Sequence, residues 1–164
     1  MPNRRAEIAM TGAEVAAFLA AGRTLVLVTL GPDGLPDPVP MWYLPDGDGL
    51  EAPGAVRMRT FRKSQKVRNL RRDPRAVGLV EDGERYVTLR GVQLTGRVEL
   101  VDDLAWIADV VVGLMAKYEQ LAPEHWPAAR DAALAGVGKQ IGLRLVVDQV
   151  VSWDHGKLGT GEAR

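Results

Sequence analysis

The sequence has no cysteine among its 164 residues. Disulfide bonds and thiolate-bound metal ions are therefore excluded, and a reducing compartment, the cytoplasm, is the expected location. No apolar run approaches the length that crosses a bilayer, so no membrane span is predicted. The first residues carry Arg4 and Arg5 but no apolar stretch, which is not the pattern of a secretory signal.

Histidine, a common catalytic residue and metal ligand, is also scarce. The two histidines, His125 and His155, are isolated in the sequence. A metal site usually needs three or four protein ligands, so none is predicted. Ser64 and Ser152 have no base beside them, and a hydrolase triad is therefore not supported.

Positive charge is concentrated in one segment, residues 57–75. The formal net charge of the chain is zero, yet this segment holds nine cations and a single acid, Asp73. The segment therefore carries +8 and the rest of the chain carries −8. Such asymmetry favours a local anionic partner on an otherwise acidic surface. The nine cations are Arg57, Arg59, Arg62, Lys63, Lys66, Arg68, Arg71, Arg72 and Arg75.

Short strands joined by turns account for most of the pattern. Apolar or alternating runs predict strands at 25–30, 39–44, 55–60, 76–80 and 143–153, with turns that include 45–49. The run 86–100 is longer, and its apolar positions change from odd to even numbers around Gly91. Because side chains on one strand face repeat every second residue, we predict a bulge or bend at Gly91.

Helices are predicted between some of these strands. Thr11 and Glu14 have the spacing of a capping box, ahead of a helix that ends near Gly22. Ser64 can cap a helix that runs to residue 72. Asp102 or Asp103 can cap a longer helix over 105–121, whose Trp106 and Tyr118 are expected to pack on the sheet.

These elements predict the fold class. About six strands and three or four helices occur without a regular strand–helix alternation. The expectation is a mainly β protein, with a single β-barrel domain over residues 1–164 and peripheral helices.

The segment 59–69 places cations where a helix does not favour them. Lysine and arginine stabilise the C-terminal turn of a helix, because the N-terminus is already the positive end of its dipole. Arg62, Lys63 and Lys66 lie at the beginning instead, at a cost of about 0.3–1 kcal/mol each. A bound anion would remove that cost, and Ser64 and the backbone N–H groups would complete a phosphate site. The alternative is an ordinary solvated basic helix.

Motifs in a fixed order give a resemblance to a known family. Residues 60–75 have the pattern T-x3-SQK-x2-NL-x2-DPR, between two predicted strands. Residues 35–43 (LPDPVPMWY), 86–99 (YVTLRGVQLTGRVE) and 151–158 (VSWDHGKL) extend the match over nearly the whole chain. The set resembles the split β-barrel family related to pyridoxamine 5′-phosphate oxidase, and within it most closely the branch that uses the deazaflavin coenzyme F420.

The resemblance implies a six-stranded, FMN-binding-like split β-barrel that forms a homodimer with cofactor clefts between subunits. It places the cofactor phosphate at Thr60, Lys63, Ser64 and Lys66, with Asn69 nearby. It places the ring against Pro40, Met41 and Trp42, partly covered by the other subunit. The pattern Arg-x-aliphatic-Leu-Leu-Lys of the true pyridoxamine phosphate oxidases is absent around residues 57–62, so vitamin B6 oxidation is not predicted.

The expected function is an oxidoreductase that uses reduced coenzyme F420 to transfer hydride to a small conjugated or unsaturated substrate. Such a cofactor brings its own chemistry, so the absence of a nucleophile or base is expected. The acidic tail of F420 needs more cations than one phosphate does, and Arg59, Arg62 and Lys63 are the nearest. The alternatives are an FMN-binding oxidoreductase of the same fold and a non-catalytic flavin-binding protein.

A nucleic-acid-binding module is a further alternative for the basic segment. Only Phe61 interleaves with the charges, so stacking platforms for bases are missing. The chain is also neutral overall. No nucleic-acid partner is therefore expected.

Overall fold

A computed structural model of the chain describes residues 4–46 and 54–158. The strands in these ranges are β1 (Leu25–Leu30), β2 (Pro36–Met41), β3 (Leu44–Asp46), β4 (Ala55–Phe61), β5 (Arg75–Asp82), β6 (Arg90–Val101) and β7 (Gln140–Asp154). The α-helices are α1 (Arg4–Glu7), α2 (Gly12–Ala21), α3 (Gln65–Arg72), α4 (Leu104–Glu119) and α5 (Trp126–Gly136).

The strands form one antiparallel sheet in the order β2-β1-β5-β6-β7-β4-β3. Its two edge strands, β2 and β3, follow each other in the chain and are separated only by Trp42 and Tyr43. Seven strands laid flat would place the edges about 29 Å apart, whereas this link can span no more than about 11 Å. The sheet therefore curls into a barrel that stays unpaired between β2 and β3. We call this link, Trp42 and Tyr43, the seam.

The edge strand β2 carries proline at every second position, namely Pro36, Pro38 and Pro40. Proline has no backbone N–H, so it suits the side of an edge strand that lacks a neighbour. These prolines keep the edge from pairing with another strand, and the last of them, Pro40, lies next to the final residue of β2.

Leucine, methionine and valine side chains fill the barrel. Fully buried examples are Leu25, Leu27, Val56, Met58, Leu94, Leu143 and Leu145. Helix α2 contacts β3 and β6, α3 contacts β1 and β6, and α4 contacts β3, β4 and β7, with α5 on α4. Gly113 allows α4 to approach the sheet closely, because a Cβ there would lie 2.5 Å from Leu44 Cδ1.

The mainly β split-barrel fold is confirmed, with differences in detail. The described residues contain seven strands rather than six, because the three-residue strand β3 forms where the end of one strand and a turn were predicted. The strand predicted at 39–44 lies at Pro36–Met41, and residues 47–49 of the predicted turn are outside the described residues. Helix α5 was not predicted, and none of its residues is buried.

The predicted bulge at Gly91 is wrong. Residues 86–88 form a 3-10 turn, and Leu89 follows it before β6 begins, so the odd-numbered apolar residues Val87 and Leu89 do not report a strand face. The ladder shifts instead at Thr95 and Gly96, where Asp148 of β7 is the extra residue. Gly91 serves close packing: a Cβ there would lie 2.1 Å from the ring of Trp153.

The predicted caps differ in outcome. The Thr11–Glu14 capping box forms, and Asp103 accepts hydrogen bonds from two N–H groups at the start of α4. Ser64 occupies the N-cap position of α3, but its hydroxyl makes no capping hydrogen bond.

Candidate functional site

A cleft of about 230 Å³ lies beside the seam. It is lined by Pro40, Met41, Trp42, Arg59, Thr60, Phe61, Leu114 and Gln140. The structure thus brings the three predicted ring-contacting residues together with one predicted cation, Arg59, and one predicted hydroxyl, Thr60. Trp42 is 48% exposed and Phe61 is 65% exposed. Large exposed aromatic surfaces of this kind suit a flat ligand.

Thr60, which lines the cleft, also lies close to side chains at the N-terminus of α3. Thr60 Oγ1 lies 3.4 Å from Lys66 Nζ and 3.5 Å from Ser64 Oγ. The first N–H groups of a helix have no acceptor within the helix, and here Ser64 does not cap them. Two hydroxyls, one ammonium group and uncapped N–H groups therefore converge. We call this set (Thr60, Ser64, Lys66 and the first-turn N–H groups of α3) the anion cradle.

Arg59 is the cation on the cleft wall. It is partly buried, and its Nη1 donates to Gln140 Oε1 at 2.6 Å. Burial lowers the pKa of its guanidinium, which still stays protonated at neutral pH. Its Nε is buried and has no hydrogen-bond partner among the residues that the structure describes. The guanidinium is therefore incompletely satisfied, which fits a site for an electron-rich ligand.

Arg62 and Lys63 differ in whether their positive charge is available to a ligand. The Arg62 guanidinium forms two hydrogen bonds with the Asp102 carboxylate, at 2.7 and 2.5 Å, and this contact holds the pKa of Asp102 below its ordinary value. Lys63 is exposed. Within the described ranges, its ammonium group makes no hydrogen bond or ion pair.

Asn69 is placed inside the protein rather than at the cleft. Its side chain is fully buried. The amide nitrogen donates to Thr29 Oγ1 at 3.0 Å and to Asp37 Oδ2 at 2.9 Å, and the amide oxygen accepts from Gln65 at 2.9 Å. Asn69 therefore ties α3 to the β1–β2 hairpin, and in this way it fixes the helix that carries the anion cradle.

Much of the charge of the basic segment is neutralised or bonded elsewhere. Arg57 approaches Asp46 at 3.3 Å, Arg75 pairs with Asp73 at 2.6 Å, and Arg68 and Arg72 donate to the carbonyls of Lys63 and Leu30. The positive charge left at the cradle comes from Lys63 and Lys66, with Arg59 in the cleft. The segment total of +8 therefore overstates the local charge.

Leu114 of α4 and Gln140 of β7 also line the cleft, and sequence reasoning missed both. Neither follows a motif, because each reaches the cleft only through barrel closure and the packing of α4. In residues 4–46 and 54–158 no cluster of three or more potential metal ligands occurs. Among the helices described, none is long and apolar enough to cross a membrane.

Comparison with known proteins gives a consistent family assignment. The profile of the pyridoxamine 5′-phosphate oxidase family matches residues 11–153. A conserved hypothetical protein from Mycobacterium tuberculosis is 39% identical, with a TM-score of 0.82 over 98% of this chain and 94% of that one. An F420 reductase (23% identity, TM-score 0.59, 82% and 93% coverage) shares the fold. So does a FAD-binding protein from Mesorhizobium loti (19%, 0.62, 87% and 94%). The chain belongs to the pyridoxamine 5′-phosphate oxidase family.

Proposed function

We propose that the protein is a cytoplasmic oxidoreductase that binds coenzyme F420 and transfers hydride to a small conjugated or unsaturated substrate. One observation carries the proposal: an aromatic cleft and an anion cradle are contiguous and share Thr60. A tricyclic ring attached to a phosphate has this shape and this distribution of charge. The F420 reductase among the structural neighbours shares the fold and agrees with this choice.

The residues present fit such a cofactor. Thr60, Ser64 and Lys66 would hold the phosphate, and the uncapped N–H groups of α3 would add donors. Trp42, Phe61 and the end of β2 would hold the ring, and Arg59 would face its electron-rich groups. When bound, the deazaflavin supplies the hydride chemistry, while the chain binds it, orients it and excludes water.

The preference for F420 over FMN rests on cations beyond the cradle. Lys63 is exposed beside it and has no side-chain partner in the part of the chain that the structure describes. It is available to the carboxylates of the lactate and glutamate tail. Arg62 is held by Asp102, so it contributes less than its position in the sequence indicates.

FMN is the second candidate, and the Arg62–Asp102 pair favours it. With that cation neutralised, the site has fewer charges for a long acidic tail, while the cradle still serves a single phosphate. A flavin carrier without turnover uses the same contacts.

We further propose a homodimer in which the partner covers the cleft. Trp42 and Phe61 are exposed in the single chain, and large aromatic groups of this kind are often buried at interfaces. Light scattering at micromolar concentration is expected to give twice the chain mass of 17.8 kDa. A monomer under those conditions contradicts the dimer.

The test of the function is a spectral titration of the purified protein with F420 and, separately, with FMN. We expect saturable binding of both and a lower Kd for F420. Reduced F420 is then mixed with small conjugated enones, and reoxidation of the deazaflavin reports turnover. Tight FMN binding with no detectable F420 binding overturns the first candidate and supports the second. Binding without reoxidation by any acceptor supports a carrier.

A further inference from the structure

Among residues 4–46 and 54–158, no strand pairs with the backbone of the seam. Trp42 and Tyr43 lie between β2 and β3, outside the sheet ladder. The hydroxyl of Tyr118, on α4, takes the place of such a strand. It accepts a hydrogen bond from the Tyr43 N–H at 3.1 Å and donates one to the Tyr43 carbonyl at 3.2 Å. One side chain therefore satisfies both polar groups of a buried residue at the barrel opening.

The ring of Tyr118 makes a second contact with the seam. It stacks on the ring of Trp42, with centroids 4.5 Å apart and an angle of 10° between the planes. Trp42 nevertheless remains 48% exposed and lines the cleft. Its indole is therefore backed by Tyr118 while it keeps surface available to a ligand.

Residues around Tyr118 hold it in turn. The Arg23 guanidinium lies 4.9 Å from the centroid of the Tyr118 ring, and Arg23 donates to the Tyr118 carbonyl at 3.2 Å. The Lys117 ammonium lies 3.8 Å from the centroid of the Tyr43 ring and donates to the carbonyls of Leu19 and Tyr43. The Tyr43 hydroxyl donates to the Leu19 carbonyl at 2.6 Å. The seam is thus bonded to both α2 and α4.

Helix α4 also contributes directly to the cleft. Leu114 lies one turn before Tyr118, on the same face of the helix, and it lines the cleft. A shift of α4 would therefore move a wall of the cleft and the support of Trp42 together.

We infer that Tyr118 is a positioning residue that sets the orientation of Trp42, and through it the orientation of the ring bound in the cleft. Its ring contact fixes the plane of the indole, and its hydroxyl fixes the backbone of Tyr43, the residue that follows Trp42. The identity of the bound ring rests on the proposed function, whereas the hold on Trp42 does not.

The first experiment needs no cofactor. Acrylamide quenching of fluorescence is measured for the wild type, Tyr118→Phe and Tyr118→Leu, each with and without Trp42→Phe, so that the difference reports Trp42 among the four tryptophans. We expect Trp42 to be quenched more strongly in Tyr118→Leu, which loses the stack, and less so in Tyr118→Phe, which loses only the hydroxyl. Tyr86→Phe is the control, because Tyr86 is 63% exposed and its ring contacts His155 rather than Trp42. Unchanged quenching of Trp42 in Tyr118→Leu overturns the inference.

The second experiment measures the bound ring. Visible circular dichroism of F420 is recorded at saturation for the same variants and for Lys66→Ala. Tyr118→Leu is expected to change the induced band and to raise the Kd about two- to tenfold. Lys66→Ala is expected to raise the Kd and to leave the band unchanged, because it removes affinity at the phosphate and not orientation at the ring.

The outcomes separate the two claims. An unchanged band in Tyr118→Leu contradicts the positioning role even where quenching changes. Wild type that binds neither F420 nor FMN contradicts the proposed function, while the quenching result still decides the role of Tyr118. If Tyr118→Leu fails to fold, acrylamide quenching and the induced band are measured on Tyr118→Phe instead. The inference is overturned if Tyr118→Phe gives wild-type values in both measurements.

Discussion

The anion cradle and the seam are adjacent regions that are built in opposite ways. The cradle is formed by side chains of one continuous segment, and the contacts among them are loose, at 3.4 and 3.5 Å. The seam is buried at Tyr43, whose backbone groups are hydrogen-bonded by Tyr118, 75 positions away in the chain. A loosely organised ionic region gains from a ligand that completes it, whereas a buried, bonded region resists movement. The difference indicates that the cradle governs affinity and the seam governs orientation.

The comparison also shows how local structure changes the meaning of a charge. Arg62 and Lys63 are neighbours in the chain, yet Asp102 neutralises the charge of Arg62 and not that of Lys63. Exposed ion pairs of this kind contribute little to stability, so the main effect of this pair is on the charge available to a ligand. The number of cations in the segment is therefore a weaker guide than their partners.

The largest effect is expected where the cradle is attached to the barrel. Asn69→Ala removes the buried contacts to Thr29 and Asp37 and is expected to lower the free energy of unfolding by about 3 kcal/mol. Urea denaturation measures this change. Gln65→Ala, which alters only an exposed partner of Asn69, is the matched control and should cost far less. Equal, small losses would show that Asn69 does not anchor α3.

The next effect concerns affinity at the cradle. Lys66→Ala is expected to weaken cofactor binding by about 1.5–3 kcal/mol, or tenfold and more, because it removes a charge-assisted contact to phosphate. Arg71→Ala, at the other end of α3, removes the same charge away from the cradle and should do much less. Isothermal titration calorimetry compares the two. Similar losses of affinity in the two variants would mean that residues 57–75 attract the cofactor through a diffuse positive field and not through a phosphate site at Lys66.

A smaller effect, on the pH dependence of stability, is expected from the ammonium group of Lys117, which contacts Tyr43 of the seam. Burial lowers the pKa of Lys117 from 10.5 to about 8, with Arg23 nearby adding to the shift. The unfolded chain therefore binds more protons than the folded one above pH 8, and the free energy of unfolding should rise with pH from there towards 10. Beyond pH 10 Tyr43 opposes the rise, because burial raises its pKa and the folded state resists its ionisation.

Lys117→Met isolates that contribution. Its free energy of unfolding, measured in urea at pH 7.5 and pH 9.5, should rise less between the two than that of the wild type. The comparison assumes an unchanged fold, which circular dichroism checks. A wild type and variant with the same dependence on pH would show that Lys117 does not titrate in this range.

The smallest effect distinguishes the two neighbouring cations. Lys63→Ala is expected to weaken F420 binding by up to about 1 kcal/mol, with a loss that shrinks at high salt, and to leave FMN binding nearly unchanged. Arg62→Ala should change the F420 affinity less, because Asp102 already neutralises that guanidinium. The double variant should then resemble Lys63→Ala. A larger loss for Arg62→Ala would show that its ion pair opens to hold the tail.

The sequence predicted much of the cradle but little of its surroundings. Ser64, Lys66 and the start of α3 follow from turn and helix signals within a short segment, and Pro40–Trp42 follow from the family motif. The packing of α4 and the closure of the barrel place three further residues at or beside the cleft, and no local pattern encodes either. These residues are Leu114, Gln140 and Tyr118. Tyr118 was expected in the core and is buried there, but its pairing with Trp42 depends on a contact between distant segments.

Local patterns also misled in identifiable ways. The odd and even apolar positions near Gly91 belong to a turn and a strand, so they gave a false change of face. Asp102 and Asp103 looked equivalent as caps, yet one caps α4 and the other binds Arg62. For Asp102 the deciding information was Arg62, which lies 40 positions away in the sequence.

The most direct test of the joined cleft and cradle is a comparison of two ligands that share one ring. F420 and the corresponding deazariboflavin, which has no phosphate or tail, are titrated against the wild type and Lys66→Ala. The wild type should bind F420 at least about tenfold more tightly than the phosphate-free ligand, and Lys66→Ala should remove most of that difference while leaving deazariboflavin binding unchanged. Equal affinity of the wild type for both ligands would contradict a phosphate site at the cradle.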